Sequence, residues 1–544
     1  MRPSLSTILL ASFALQTGAS KLPVVHLDYA AYQANSLNES GGYYNFSNIR
    51  YAAPPIGDLR FRLPVEPTGR QCRVDDGSVG RVCPQSSGNW SLISNNFTKA
   101  YVNGQPFDYN AAVAALPKSP RVVSADNRTT EDCLFLDVIA PETAFGKNKT
   151  KLPVLIYVYG GGYSSGDKTG DGDFNPAELL RMSNNGFVYV AMNYRLGALG
   201  WLSGREVAAD GTPNAGLHDQ RLSFRWVQKY IHLFGGDKNR VTVMGGSAGA
   251  GSIMHHLTAF GGRKNESLFS QAILLSPAFL PAPTEVNAER AFGNFLDILN
   301  VTSLSEARKL SSEEVIAGNA LQIYSEATYG NNIYGPVVDG KYAPALPGQL
   351  LLNGSFDKDV RIMTMHNTLE GLIFTNPTIN SSVDYLSTIT SSFPTVKEDA
   401  LEYINSTLYP PIFNGSAGYK DEFQRALATI QDINIICNTN YLARAFSNQA
   451  YALRFAVPPG IHGQQTPYVF RNGAPAGIVE PVADALQSYI VSFVTKSVPS
   501  FNGADVPLYG TESMLMNLAP NGTSLQKDDT ANQRCKWWQQ GLFA

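Results

Sequence analysis

Short apolar runs punctuate the chain at Leu152 to Val158 (LPVLIYV), Phe187 to Met192 (FVYVAM), Val241 to Met244 (VTVM), Ala272 to Leu275 (AILL) and Val360 to Met365 (VRIMTM). They are rich in Val, Ile and Tyr and bounded by Gly, Asn or Ser, which is the pattern of strands buried on both faces. Between some of them the period lengthens. In Arg221 to Phe234 (RLSFRWVQKYIHLF), Leu222, Trp226, Ile231 and Phe234 fall near one face, and Gly235-Gly236 supplies a helix stop. Strands alternating with helices predict an α/β fold with a large, mostly parallel sheet covered by helices on both faces. Such a sheet carries its working loops at the strand C-termini.

Two kinds of segment interrupt this core. Ser86 to Thr130, between Cys83 and Cys133, mixes Trp90, Phe97, Tyr101, Phe107 and Tyr109 with polar residues. It reads either as a flap over a pocket or as a surface loop pinned by its own aromatics. Residues 281–330 and 372–450 read as mainly helical and suit a cap. Neither an internal repeat nor a linker divides the rest, so residues 21–544 read as a single domain.

Composition narrows the class. Hydrophobic residues at 44% against 16% charged belong to a loop-rich globular protein, and a net charge of -3 offers no basic surface to nucleic acid or anionic membrane. The first 20 residues, with Arg2, an apolar stretch from Leu5 to Leu15 and the small residues Thr17 to Ser20, read as a secretory signal peptide too short to span a bilayer. N-x-S/T sequons recurring from Asn38, Asn45 and Asn89 to Asn521 suit a secreted glycoprotein. The 5 cysteines, Cys72, Cys83, Cys133, Cys437 and Cys535, allow at most two disulfides in an oxidising compartment. None has zinc-site spacing, so no metal or other cofactor is expected.

The sharpest chemical signal is Gly245-Gly246-Ser247-Ala248-Gly249, placed after the VTVM strand and before a helix expected over Ala250 to Leu257. That is a nucleophile elbow, in which flanking glycines permit a strained strand-to-helix turn that lifts the Ser hydroxyl above the sheet. A serine needs a neutral imidazole as base and an acid to orient it. With the chain order Ser, acid, His, His26, His218 and His232 drop out. His255 and His256, on the helix leaving the elbow, are expected to cover surface or line the pocket. His366 follows too soon, which leaves His462 in Gly460-Ile461-His462-Gly463. Glu370, after a strand and before Gly371, is the favoured acid, and Asp339 in a Val-Val-Asp-Gly turn is its competitor. Gly160-Gly161-Gly162 after a strand can present the N–H groups of Gly161 and Gly162, with that of Ala248, to a developing oxyanion.

With these pieces placed, the chain resembles the type-B carboxylesterase/lipase family, which also contains cholinesterases, and within it the secreted fungal type. The resemblance runs through IRYAAPPIGDLRFRLP (Ile49 to Pro64), Glu131 to Leu134, YGGGY (Tyr159 to Tyr163), NYRLGALGWL (Asn193 to Leu202), the stretch from Asn214 to Asp237, the elbow, Pro336 to Gly340, Leu369 to Gly371 and Gly460 to Gly463. It implies an α/β-hydrolase fold and a serine hydrolase of small-molecule esters, with a Ser247, His462, Glu370 triad and an acyl-enzyme intermediate. It also implies disulfides Cys83–Cys133 and Cys437–Cys535, leaving Cys72, and a supporting role for Ser276 beside Glu370. Departures stand at Gly246, where cholinesterases carry Glu, near Gly330 and Asn332, which lack an acyl-pocket aromatic pair, and at Gln465, in place of an acidic residue. Trp90 sits too close to Cys83 to match the family's cation-binding Trp. The alternatives are an interfacial lipase or sterol esterase, and a non-catalytic recognition protein.

Overall fold

The five apolar runs become the middle of one large sheet in the computed structural model, which describes residues 22–71, 73–119, 126–146, 151–262, 268–281 and 285–543. The signal-peptide segment and Cys72 lie outside the described residues. Eleven strands build the sheet: β1 (Ser36–Asn38), β2 (Tyr43–Arg50), β3 (Phe135–Pro141), β4 (Leu152–Val158), β5 (Val188–Met192), β6 (Gly236–Gly246), β7 (Gln271–Leu275), β8 (Arg361–Asn367), β9 (Ala450–Phe455), β10 (Met514–Ala519) and β11 (Gly522–Lys527). Their spatial order is β1-β2-β3-β5-β4-β6-β7-β8-β9-β10-β11. From β5 across to β10 the neighbours run parallel, while β1 to β3 at one side and β11 at the other are antiparallel.

Burial explains which strands are visible as apolar runs. Every residue of β5 and β7 is buried, because helices cover both faces. The outer strand β11 (GTSLQK) is almost wholly exposed, and its polar side chains carry no such signal. In β2 the register shifts between Phe46 and Ile49, so its alternation is broken.

Helices follow the sequence reading, with two that start earlier than expected. The helix α3 (Ala215–Tyr230) begins well before Arg221 and runs into a tighter turn, Ile231–Phe234, that stops at Gly235 with φ of 80°. Gly216 is no breaker there. It lets α3 lie against Trp201, whose ring would be 2.5 Å from any Cβ at that position. The elbow helix α4 (Ala248–Leu257) starts directly at Ala248.

The 83–133 insertion contains two helices, α1 (Trp90–Val102) and α2 (Tyr109–Ala114), so it satisfies both readings at once. Phe97 packs with Phe107, Phe423, Leu372 and Leu427, while Trp90 donates to the Asn331 carbonyl at 3.2 Å. A disulfide, Cys83–Cys133, closes its base. The cap is helical as expected, with α5 (Glu285–Leu299), α6 (Ser312–Glu326), α7 (Glu422–Gln431) and α8 (Cys437–Ala445). Cys437–Cys535 ties α8 to the last helical turn of the chain. Loop closure over 50 and 98 residues corresponds to about 4 kcal/mol of stability for each bridge. Among the described residues no helix is long and apolar enough to cross a membrane.

Candidate active site

Parallel register brings the strand ends to one edge. Gly246 of β6 lies beside Leu275 of β7, which lies beside Met365 of β8. Ser247 takes the next position with φ 54° and ψ −124°, a conformation that costs a non-glycine residue about 1–3 kcal/mol. It is held by three backbone bonds: Ser247 N–H to the Leu275 carbonyl at 2.9 Å, and the Ser247 carbonyl accepting from Gly251 N–H at 2.9 Å and Ala278 N–H at 3.1 Å. The elbow glycines differ in what they are for. A Cβ at Gly245 would sit 2.6 Å from the Gly249 backbone, and one at Gly249 would sit 2.1 Å from the Val158 carbonyl oxygen. At Gly246 it would meet only the Tyr157 hydroxyl, at 3.7 Å.

His462 arrives on the loop after β9, where Ile461 pairs with Leu369 in a single parallel bridge. Gly460 is required at φ 74°, because a Cβ there would fall 1.9 Å from Thr368 Oγ1. The imidazole Nε2 lies 2.8 Å from Ser247 Oγ, and Nδ1 lies 2.6 Å from Glu370 Oε2. Phe374 packs edge-on to the ring at 5.2 Å. Glu370 is fully buried. Its Oε1 accepts from the Ser276 hydroxyl and from the Asn367 N–H, both at 2.6 Å. These two donors fix the orientation of the carboxylate whose other oxygen faces His462.

Asn367 escaped the sequence reading, and Gln465 was noted there only as a departure. Asn367 Nδ2 donates to the Ile461 carbonyl at 2.7 Å and to Gln465 Oε1 at 2.6 Å, while Gln465 Nε2 donates to Ser276 Oγ at 3.2 Å. The available signal for Asn367 was its place at the end of the strand preceding Leu369-Glu370-Gly371.

Other candidates stand elsewhere. The Asp339 carboxylate binds Asn214 Nδ2 at 2.8 Å and the N–H groups of Lys341 and Ala343, so it organises a turn. His366 Nδ1 bonds the Asn367 carbonyl. His255 and His256 neither cover surface nor face the cavity, contrary to expectation; both are buried in α4. His255 Nδ1 donates to the Gly251 carbonyl, and its ring packs on Phe279. His256 bridges Gln220 on α3 and the Tyr342 hydroxyl. Burial lowers His255 to about 4 and His256 well below the ordinary histidine value.

The Gly160 to Gly162 turn closes over Ser247. Gly161 and Gly162 have φ of 113° and 61°, and the Gly162 Cα faces the Asn332 amide so closely that a Cβ would lie 2.6 Å from it. Among the described residues, no acceptor is paired with the N–H of Gly161, Gly162 or Ala248. These groups face a cavity of about 910 Å³, which Ser247, His462, Trp90, Trp201, Phe279 and Phe374 also line. Asn287, Arg290, Asn294, Glu326 and Asn332 add polar groups to a lining that is otherwise mainly apolar. Trp90 therefore does reach the cavity. The grouping of Asp432 with Cys437 and Cys535 offers no metal site, since the two sulfurs are bonded to each other.

Comparison with known proteins gives one answer at three levels. A sequence model of the carboxylesterase family matches residues 23–538. Carboxylesterase patB of Penicillium expansum is 38% identical over 548 residues, covering 96% of this chain and 97% of that protein. A secreted lipase of Arthroderma benhamiae is 30% identical over 68% of this chain and 72% of its own length. The crystal structure of Aspergillus niger EstA superposes with a TM-score of 0.77 at 26% identity, covering 95% of this chain and 98% of that one.

Proposed function

The chain belongs to the carboxylesterase family and is a carboxylic ester hydrolase, and from that premise we propose that it acts through Ser247, His462 and Glu370 by way of an acyl-enzyme. The observation that carries this is the unbroken line from Ser247 Oγ through Nε2 and Nδ1 to Glu370 Oε2, at 2.8 and 2.6 Å. Ser247 Oγ attacks the ester carbonyl while His462 Nε2 takes its proton. Glu370 keeps the other ring proton on Nδ1, so that Nε2 presents a lone pair, and it offsets the charge of the imidazolium that forms. The N–H groups of Gly161, Gly162 and Ala248 receive the oxyanion. His462 then returns the proton to the leaving alcohol, and water repeats the sequence on the acyl-enzyme.

The substrate is a small-molecule ester. A cavity of about 910 Å³ whose lining is mainly apolar, with amides at Asn287, Asn294 and Asn332, suits an ester of drug size with an apolar body and a few oxygen functions. The flap favours a soluble substrate over an interfacial one, because Trp90, Ser94 and Phe97 each fasten it to neighbouring loops. Residues 21–544 act as one domain, supported by a continuous core from Val25 to Phe543. Export is supported by the N-terminal segment, the sequons and both disulfides.

Ser247→Ala is expected to abolish turnover of 4-nitrophenyl acetate and labelling by a fluorophosphonate while leaving the fold intact. Retention of either activity rejects the mechanism. Esters graded in chain length and oxygen content, assayed with and without a lipid interface, test the substrate class.

A further inference from the structure

The hydrogen bonds behind Glu370 have a direction that the partners alone determine. Asn367 faces the Ile461 carbonyl, a pure acceptor, so the atom there is Nδ2. The same nitrogen lies 2.6 Å from one end of the Gln465 amide, which must then be its oxygen. Gln465 therefore turns its NH2 toward Ser276 Oγ at 3.2 Å. A hydroxyl that accepts there keeps its single proton for its other neighbour, Glu370 Oε1 at 2.6 Å. Gln465 is 2% exposed where it borders the cavity, and Ser276 and Asn367 are fully buried.

We infer that Gln465 is a positioning residue which, acting through Ser276, commits the serine proton to Glu370 and holds the carboxylate that orients His462. The inference rests on the triad reading. Among the described residues, the ionisable groups bonded into this chain are Glu370 and His462. His366 stands one residue back on β8, with its ring on the Asn367 carbonyl. Arg454, opposite His366 on β9, turns to Asn517, Gln526 and Asp529. The neutral amide at 465 thus supplies one donor and one acceptor without placing a second charge beside Glu370. A carboxylic acid in its protonated form has the same pair of functions: its carbonyl can accept from Asn367 and its hydroxyl can donate to Ser276. Once ionised it has only acceptors, so it competes with Glu370 for the serine proton, and its charge favours the imidazolium.

Three single variants of the full chain and one double variant test this. Gln465→Leu removes both bonds and is expected to lower kcat for 4-nitrophenyl acetate about 10-fold with KM within 2-fold, the effect of one lost net hydrogen bond of roughly 1.4 kcal/mol. Ser276→Ala is expected to give a similar loss, and the double variant no more than the larger single one, because both break the same chain. Gln465→Glu is expected to move the acid limb of the kcat/KM profile at least half a unit upward. A purely structural role would lower the melting temperature without moving that limb. A Gln465→Leu enzyme with wild-type kcat, multiplicative losses in the double variant, or an unmoved acid limb in Gln465→Glu overturns the inference. Fluorophosphonate labelling of Ser247, run in parallel, separates this failure from a failure of the triad, since loss of wild-type labelling speaks only to the latter.

Discussion

Glutamine in place of Glu370 changes one atom and reverses the meaning of a neighbouring ring. Ser276 Oγ and Asn367 N–H both donate to Oε1 at 2.6 Å, so the amide oxygen stays on that side and the new NH2 faces His462 Nδ1. Two donors cannot share that 2.6 Å contact, and the imidazole shifts its proton to Nε2. Nε2–H then points at Ser247 Oγ and has no lone pair with which to take the serine proton. Loss of the correct tautomer in a serine triad costs roughly 10⁴-fold in kcat, which at about 1.36 kcal/mol per factor of ten is about 5 kcal/mol of barrier. KM should change little, since the substrate does not touch a fully buried side chain. The assay is steady-state hydrolysis of 4-nitrophenyl acetate with a thermal melt on the same samples. Asp339→Asn is the control, expected to keep kcat within a few-fold, because Asp339 serves a turn and Asn214. Activity of Glu370→Gln within ten-fold of the parent, or a deeper loss in Asp339→Asn, would refute the assignment of the acid.

Gly162→Ala should lower kcat by roughly 10²- to 10³-fold, the usual effect of losing an oxyanion donor, since φ of 61° and a Cβ 2.6 Å from Asn332 displace its N–H; kcat/KM within a factor of three of the parent would exclude that donor. Stability should rise with pH between about 4 and 6.5. His218 and His255 are both lowered to about 4, chiefly by burial, so in that window the unfolded chain binds more protons than the native one, and native stability is lost as pH falls. Asp432, raised by burial to about 6, acts with the opposite sign below that pH and removes part of the slope. For His255, which is 4% exposed, the interval corresponds to about 3 kcal/mol, so urea unfolding of His255→Phe should show a flatter pH dependence, and an unchanged slope would count against the burial argument.

How legible the molecule was in its sequence depended on whether the cause was local. The elbow was readable because Gly245 and Gly249 are demanded by contacts within a few residues or with the adjoining strand end. The runs inside β4 to β8 were readable because burial on two faces leaves those segments largely apolar, although β6 opens on an exposed polar stretch, whereas β11 and the bulged β2 hid behind polar or broken patterns. Local sequence favoured Glu370 over Asp339 without deciding between them, as each precedes a glycine; what separates them is that β8 and β9 run side by side and deliver Glu370 and His462 to one spot. The reading of His255 and His256 failed for the same reason, since their partners Phe279, Gln220 and Tyr342 come from distant segments. Both disulfide pairs came from family resemblance, and spacing alone would have left them open.

Of the residues forming the turn at the nucleophile, the one directly preceding it has steric room: a Cβ at 246 meets only the Tyr157 hydroxyl at van der Waals range, and the position borders the substrate cavity. The turn that aims the serine is constrained at Gly245 and Gly249 and not at Gly246, so reactivity and selectivity can be adjusted separately here. Varying that single position, beginning with alanine, offers a route to new ester preferences without straining the turn.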